Sequence, residues 1–330
     1  MEKTETIWNR RFILLFITNL LVLAAFYASI PIIPLYCGEI GITGAKVGIV
    51  LTAMSVATIL FRPVAGHLLD NFDRYRVYLL FLALFCLSFP AFLAFPAFGA
   101  LILVRLYMGA VYSVCGSATM TLAGDVLPAA KVTQGISRFA FTVSIGMALG
   151  PFVGLQVQEN LSSRASFLTI FAIAVTALVC VSLCRIRYPR VQRGRFSLKE
   201  SIYAPALPFM FNMMFLMIPY GAVLSTGAHL LAGFFFGVGY GILQPLFQAF
   251  VTGTTPPPQR GVANATYMLS YDVGIGLGSL LMGFLQQPVG LAAGFALTAV
   301  FYLVGGGLYL GWTDGYYSRR KAACEAGERV

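Results

Sequence analysis

The sequence predicts an all-α polytopic membrane protein with about ten transmembrane helices. Of its 330 residues, 58% are hydrophobic and only 10% are charged, whereas a soluble domain keeps about a quarter of its residues charged. The apolar residues come in runs of about 20 and not in alternating segments of about 10, which is typical of membrane helices rather than barrel strands. The composition therefore excludes an ordinary soluble domain.

Ten apolar runs are candidate transmembrane spans. Each has about 20 residues or more, the length that a helix needs to cross the hydrocarbon core of a bilayer. The stretch before the first run lacks the small-residue cleavage site of a signal peptide, so we expect a retained first span. The runs lie near residues 12–36, 47–69, 77–96, 98–122, 135–157, 165–185, 203–225, 228–250, 263–285 and 290–312.

One connector between the runs is long and basic, and it divides the chain in two. Residues 186–202 predict a cytoplasmic linker between an N-terminal six-helix bundle at 1–185 and a shortened C-terminal four-helix bundle at 203–330. The third and fourth runs are joined closely around Pro96, and the seventh and eighth are joined by residues 225–227.

Lysine and arginine are distributed unevenly between the two sets of loops. Because positively charged loops stay in the cytoplasm, we expect both termini there. The net charge of +10 thus belongs to the loops, with no basic patch of interleaved aromatic residues, and we expect no nucleic-acid partner. The opposite loops carry only Lys46 and Arg164, whereas the cytoplasmic set carries Lys3, Arg10, Arg11, Arg74, Arg76, Lys131, the run 185–199, Arg260, Arg319, Arg320 and Lys321.

The six cysteines do not predict a metal site. Most lie inside apolar runs, and no pair has the context of zinc ligands. The sequence also contains no nucleophile elbow and no phosphate-binding loop. We therefore expect no metal, no cofactor and no catalytic residue, and we do not expect an enzyme.

The two halves show an internal repeat at an offset of 128 positions. Internal repeats of this kind are common in transporters. Because the matches keep their order along two consecutive spans, chance alone is a poor explanation of them. The offset takes Gly109, Tyr112, Pro128, Gly146 and Gly150 to Gly237, Tyr240, Pro256, Gly274 and Gly278.

The first spans of the two halves follow a different offset. Pro31 in the first span best matches Pro219 in the seventh, 188 positions later. From Pro31 to Gly109 there are 78 positions, whereas from Pro219 to Gly237 there are 18. We expect that about 60 residues, the length of two spans with their loops, are missing from the second half.

The stretch GHLLDNFDRYR at 66–76 concentrates charge between the second and third runs. In Gly66, Leu69, Asp70, Arg74 and Arg76 the stretch resembles the signature loop of the major facilitator superfamily, a family of membrane transporters. Arg62 just upstream also fits. The stretch departs from the pattern of the family at Asp73, where a glycine is usual, and at Tyr75, where a basic residue is usual.

The resemblance implies a two-bundle fold and a role for this loop as a conformational latch. In the family the loop's acid helps to hold the two halves together against the start of a later helix, which here is at 260–264. The helix dipole favours a negative charge, such as that of Asp70, at the N-terminus of this helix. Gly66 lets the helix ends approach closely, and we expect Arg74 and Arg76 at the anionic cytoplasmic leaflet. The alternative is a solvated charged hairpin.

Two further stretches resemble motifs of the same family at the expected spans. Arg105 and Gly109 resemble the Arg-x-x-x-Gly motif of span four. Glycines at every fourth position of span five permit close helix contact, and a proline beside them adds a kink, so this face is a packing surface, a hinge or both. It resembles the glycine-proline motif of drug:proton antiporters, with Leu155 replacing the final glycine, in Gly146, Gly150, Pro151 and Gly154.

Two ionisable residues inside the apolar runs are candidates for proton or substrate coupling. A charge there costs roughly 2.5–3.5 kcal/mol on insertion scales. Asp272 is the only acid well inside a run, and it is a candidate for proton coupling. The alternative is an acid that stabilises helix packing by bonding Ser270, Tyr271 or a partner span. Arg105 is a candidate for attracting an anionic substrate or modulating a proton site, or else for a structural pair.

In the family, spans one, four, seven and ten line the transport cavity, and all four have counterparts here. Their polar and aromatic side chains are candidates for lining it, although each could equally form a hydrogen bond between helices. These candidates are Asn19, Tyr27, Tyr107, Tyr112, Asn212, Tyr220, Gln244 and Gln248.

These features predict a secondary active transporter that exports small organic molecules in exchange for protons by alternating access. We expect a monomer in the bilayer of the plasma (bacterial inner) membrane, with a small-molecule substrate and protons as partners. The alternative is a transport-inactive shortened paralogue or deletion product with at most a binding or scaffold role.

Overall fold

A computed structural model describes residues 6–43, 45–184, 186, 202–226, 243, 244 and 246–325, and side chains at most of these. Over these residues the chain is helical and contains no strand. Seven helices are long and apolar enough to cross a membrane, so the chain is a multi-pass membrane protein. Most of the predicted linker and the turn at 227 lie outside the described residues.

The helices follow the predicted runs closely. Short 3₁₀ turns precede three of them, at Ala129–Lys131, Ala204–Ala206 and Pro257–Gln259, and residues 246–253 are helical as the end of the predicted eighth span. The long helices are α1 (Arg10–Glu39), α2 (Ala45–Asn71), α3 (Arg74–Ala94), α4 (Phe98–Asp125), α5 (Val132–Asn160), α6 (Ser163–Ser182), α7 (Leu207–Thr226), α8 (Arg260–Leu308) and, after a π-helical turn at Tyr309–Thr313, α9 (Asp314–Glu325).

Helix α8 runs from Arg260 to Leu308 and contains two predicted spans. The sequence predicts separate spans at 263–285 and 290–312, and the helical path breaks at Gly290, whose φ is 79° and ψ is 169°. That backbone conformation is costly for any residue with a Cβ atom. The glycine therefore separates the two spans without a loop.

Local caps explain where several helices begin. Asn9 accepts a hydrogen bond from the Phe12 backbone N–H at 2.9 Å, and Asp73 accepts from Tyr75 and Arg76 at 3.0 and 3.2 Å. Side chains of this type satisfy N–H groups that have no intrahelical partner. Asp73, where the family pattern has a glycine, therefore starts α3.

The repeat at 128 positions has a structural counterpart. Pro128 and Pro256 have nearly the same backbone angles (φ −59°, ψ 138° and φ −55°, ψ 143°), and each precedes a 3₁₀ turn that leads into a long helix. Gly146 of α5 packs on α1, and Gly274 of α8 packs on α7. Gly237 and Tyr240 lie outside the described residues. Where both members are described, the repeat therefore extends to helix packing.

Two groups of helices meet at one end of the molecule. In the first group α1 packs on α5 and α6, α2 packs on α4, and α3 packs on both α4 and α6; in the second, α7 packs on α8. The groups contact each other through α2 and α4 against α8. We call the end where α2 passes into α3, α4 passes into α5 and α8 begins the basic end, because its loops carry most of the lysine and arginine.

Candidate functional site

Asp70, in the last turn of α2, caps the N-terminus of α8. Its two carboxylate oxygens accept hydrogen bonds from the backbone N–H groups of Gly261 and Val262, both at 2.8 Å. The first N–H groups of a helix have no intrahelical partner, and the helix dipole favours a negative charge there. The loop and the later helix that the family resemblance pairs are thus in contact.

The glycines at this contact leave no space for a side chain. A Cβ atom built on Gly66 would lie 3.0 Å from the Cα atom of Val262, and one on Gly261 would lie 2.5 Å from Oδ1 of Asp70. Real Cβ atoms essentially never approach other atoms as closely as the second distance. The backbones of α2 and α8 therefore approach as closely as the capping bonds require.

Arg74 does not lie at the membrane surface, and that expectation is wrong. Its side chain is fully buried and donates to Asp70 Oδ1 at 2.7 Å and to Asp125 Oδ2 at 2.8 Å. It also donates to the carbonyl oxygen of Pro257 at 2.7 Å, on the other side of the interface. Two carboxylates that are buried away from water need a counter-ion, and this need explains the burial of Arg74.

Arg76 remains at the surface. The exposed fraction of its side chain is 85%, and its ion pair with Asp73 is 3.4 Å long. Such exposed pairs contribute little to stability. The structure therefore separates the two arginines of the loop, one inside the contact between the helix groups and one outside it.

Asp125 and Arg260 extend the cluster, and the sequence analysis assigned neither a role in it. Arg260 donates to the carbonyl oxygen of Gly124 at 2.9 Å and lies 3.5 Å from Asp125 Oδ1. Thr121 joins the same contact through Asn264, whose Nδ2 donates to its hydroxyl at 3.1 Å. In the sequence, the feature that points to Asp125 is its position as an acid at the end of the fourth span, three residues before Pro128 of the repeat.

A second ionic contact lies deeper in the membrane region. Oδ2 of Asp272 accepts a hydrogen bond from Nε of Arg62 at 2.7 Å, and the side chains are only 15% and 4% exposed. Arg62 also donates from Nη1 to the carbonyl oxygen of Ser113 and to the hydroxyl of Ser117, both at 3.1 Å. The partner of Asp272 is thus a residue on a helix of the other group, and no pattern in the sequence predicts this pair.

Arg105 is not part of that contact. It is buried in α4 and donates to the carbonyl oxygens of Val50 and Leu51 in α2, at 3.3 and 3.1 Å. It lies eight residues from Ser113, about 12 Å along the same helix. The structure therefore does not bring the two coupling candidates, Arg105 and Asp272, together.

The glycine motif of α5 faces α1. Cβ atoms built on Gly146, Gly150 and Gly154 would each lie 2.7 Å from an atom of α1, namely Leu23 Cβ, the Ala24 carbonyl oxygen and the Ala28 carbonyl oxygen. Pro151 lies inside the helix beside them. This face is a close helix-packing surface.

Three cavity candidates form hydrogen bonds within one helix group, so the alternative interpretation applies to them. Asn19 donates to Thr142 Oγ1 at 2.6 Å, and Tyr107 donates to the carbonyl oxygen of Leu84 at 2.6 Å. Asn212 donates to the carbonyl oxygen of Gly305 at 2.9 Å. Their polar atoms bond between helices, as the alternative interpretation has it, and cavity lining by these residues stays a prediction.

The other described candidates have different surroundings. Tyr112 stacks on Phe26 with ring centroids 4.1 Å apart, and Tyr27 lies edge-on to the same ring. Gln248 donates to Asn264 Oδ1. Gln244 is 1% exposed, and neither atom of its side-chain amide has a hydrogen-bond partner among the described residues. The side chain of Tyr220 lies outside the described residues.

Every hydrogen bond and ion pair that joins a described residue of 6–186 to one of 202–325 lies in one region. The first group contributes side chains or carbonyls from 62 to 125, and the second contributes residues 257–272. The arrangement can therefore hold the two helix groups together at the basic end.

Comparison with known proteins gives a consistent result. The chain matches the sequence profile of the family described as Major Facilitator Superfamily over residues 15–225 and again over 202–327. The quinolone resistance protein NorA of Staphylococcus aureus is 24% identical over 182 residues, which are 55% of this chain and 46% of that protein. In this match the chain thus spans about half the length of its curated relative.

Solved structures share the fold. A bacterial homologue of the iron transporter ferroportin in an outward-facing state aligns with a TM-score of 0.72 and 13% identity, over 93% of this chain and 100% of that one. The proton:xylose symporter XylE aligns with a TM-score of 0.68 and 10% identity, over 92% and 95%. At such identities the similarity concerns the fold alone.

Proposed function

The chain belongs to the major facilitator superfamily, and from that membership we propose that it is a secondary active transporter that exports small organic molecules in exchange for protons. Transporters of this kind expose a central site to one side of the membrane and then to the other, by rocking of two helix bundles. A fold of apolar helices with buried ion pairs between two bundles also supports a transporter rather than an enzyme.

The observation that carries the proposal is the contact between Asp70 and the start of α8. It joins the bundles at the basic end, where both carboxylate oxygens accept hydrogen bonds from N–H groups of the opposite bundle. By the distribution of lysine and arginine, this end faces the cytoplasm. The contact is then a latch that closes the cytoplasmic side, in a plasma membrane protein with both termini in the cytoplasm.

The proposed substrates are aromatic, amphipathic compounds. The candidates for the cavity, Tyr27, Tyr112, Gln244 and Gln248 among them, supply aromatic surface and amide groups but no charge. The relative named for quinolone resistance supports the same class. We propose a monomer as the transporting unit, built from an N-terminal bundle (1–185), a linker (186–202) and a C-terminal bundle (203–330).

Transport by the purified protein in liposomes tests the proposal. Vesicles with an imposed pH gradient are given a fluorescent quinolone, and its flux is measured for the parent protein, for Asp70→Asn and for the matched control Arg76→Gln. We expect gradient-driven flux in the parent, a loss of at least tenfold in Asp70→Asn and little change in the control. A folded parent protein whose flux equals that of empty vesicles contradicts the proposal.

The second candidate is a transport-inactive shortened relative, and the short distance between Pro219 and Gly237 favours it. About 60 residues are missing there if the two halves were once equal. A version with a two-span segment restored after position 226 separates the candidates. Transport by the restored version alone supports the second candidate, and transport by the natural chain supports the first.

A further inference from the structure

The contact between α2 and α8 has two attachment points with different chemistry. The helices run antiparallel, with Asp70 beside Gly261, Gly66 beside Ala265 and Arg62 bonded to Asp272. The two attachment points are eight residues apart on α2, or about 12 Å. The outer one binds backbone N–H groups, whereas the inner one is an ion pair between two side chains.

When the bundles separate, the two residues of the ion pair keep different numbers of hydrogen-bond partners. Arg62 has two more acceptors on α4, the carbonyl oxygen of Ser113 and the hydroxyl of Ser117, and both belong to its own bundle. Asp272 accepts from Arg62 alone among the described side chains. Separation therefore leaves Arg62 partly satisfied and leaves Asp272 as a buried carboxylate without a cation, which is costly.

We propose that Arg62 is the positioning residue that links protonation of Asp272 to closure of the basic end. While the bundles are closed, the carboxylate is ionised and paired. When a proton from water binds the carboxylate, the group becomes neutral, the ion pair is lost, and separation no longer exposes an unpaired charge. The inference rests on the proposed function and adds to it the counter-ion that makes the proton site sensitive to conformation.

The surroundings of Asp272 leave Arg62 as its main electrostatic partner. From α4 the side chain of Tyr112 is close enough to interact with the carboxylate. On α8 itself Tyr271 precedes Asp272 in the chain, and α7, which also packs on α8, has no Asp, Glu, Lys, Arg or His in its sequence. No Lys, Glu or second Asp of the described residues pairs with it. Asp70 and Asp125 titrate in the outer cluster and therefore need a separate control.

The test measures the separation of the bundles as a function of pH. Spin labels are placed at Gln134→Cys and Gln259→Cys, two exposed positions at the basic end of opposite bundles, with the native cysteines replaced. Distances are measured by pulsed electron spin resonance in lipid nanodiscs between about pH 5 and about pH 9. The variants are Arg62→Gln, Arg62→Lys, Asp272→Asn and the neutral pair Arg62→Gln/Asp272→Asn, which leaves no unpaired buried charge.

We expect the open distance to gain population as the pH falls in the parent and in Arg62→Lys. Arg62→Gln, Asp272→Asn and the neutral pair should each be independent of pH, because none can gain or lose the ion pair. Asp70→Asn should open more at every pH and keep the pH dependence, which separates the outer contact from the inner one.

Two results overturn the inference. One is a pH dependence that persists in Arg62→Gln or in the neutral pair, and the other is a parent protein that shows an open distance on addition of a quinolone but not on acidification. The second result leaves the proposed function standing. A protein that keeps one distance under every condition, and also fails to transport, refutes the proposed function itself.

Discussion

The carboxylate of Asp70 lies 2.8 Å from the backbone nitrogen of Gly261, although 191 residues separate them in the chain. The bond joins the end of one transmembrane helix to the beginning of another in the opposite bundle. It uses a donor that the helix cannot satisfy by itself, so the same bond completes α8 and closes the basic end.

Replacement of Asp70 by asparagine should open the basic end. The change removes the negative charge from the helix N-terminus and one of two accepting oxygens, a loss of about 1–2 kcal/mol. The ratio of open to closed molecules should rise about 5- to 30-fold. The distance between spin labels at positions 134 and 259 measures it, with Arg76→Gln as the control, and an unchanged distance distribution contradicts the role of the capping bonds.

Alanine at Gly261 should disturb closure more than alanine at Gly66. The new Cβ atom would lie 2.5 Å from Asp70 Oδ1 in the first case and 3.0 Å from Val262 Cα in the second. Overpacking of this kind costs typically about 1–3 kcal/mol. Gly276→Ala, on the same helix with nothing within 4 Å, should behave as the parent protein in the same distance measurement.

Loss of the Arg74 charge should strongly destabilise the protein. Arg74→Gln leaves Asp70 and Asp125 buried without their counter-ion, which costs about 3–5 kcal/mol. Thermal unfolding in detergent should show a large drop in Tm, a smaller one for Arg74→Lys and almost none for Arg76→Gln. The double variant Arg74→Gln/Asp125→Asn should lose less than the sum of its single variants, because both touch one network.

The two glutamines of the 243–253 segment should respond oppositely to leucine. Gln244→Leu removes an amide whose atoms have no hydrogen-bond partner, and it should raise the free energy of unfolding by about 1–3 kcal/mol. Gln248→Leu breaks the bond to Asn264 and should lower it. Chemical unfolding without substrate compares them, and a destabilised Gln244→Leu shows that the amide has a structural partner.

Helix positions and the outer contact were predictable from the sequence because both depend on local patterns. Apolar runs of membrane length define the spans. The charged stretch at 66–76 resembles the signature loop of the family, and that resemblance implies a contact of Asp70 with the helix beginning near Arg260. The contact at Gly261 and Val262 follows from these two features.

The partners of buried charges were not predictable from the sequence. Arg62 and Asp272 are 210 residues apart, and no periodicity relates them. Arg74 and Arg76 are two residues apart in the same motif, yet one is fully buried and the other is 85% exposed. Which arginine turns inward depends on Asp125, which reaches the cluster only through tertiary packing. The interhelical bonds of Asn19, Tyr107 and Asn212 were not predictable for the same reason, since composition does not distinguish a cavity wall from an interhelical bond.

The N-termini of α5 and α8 follow the same proline and 3₁₀ turn, but only α8 receives a carboxylate from the opposite bundle. By the repeat, the position from which a second acid would reach α5 falls between Pro219 and Gly237, where the second half is 60 positions shorter than the first. Among the described residues, the capping bonds between the halves therefore lie between α2 and α8. We expect a path through the basic end to open along the groove between these two helices only after those bonds are released.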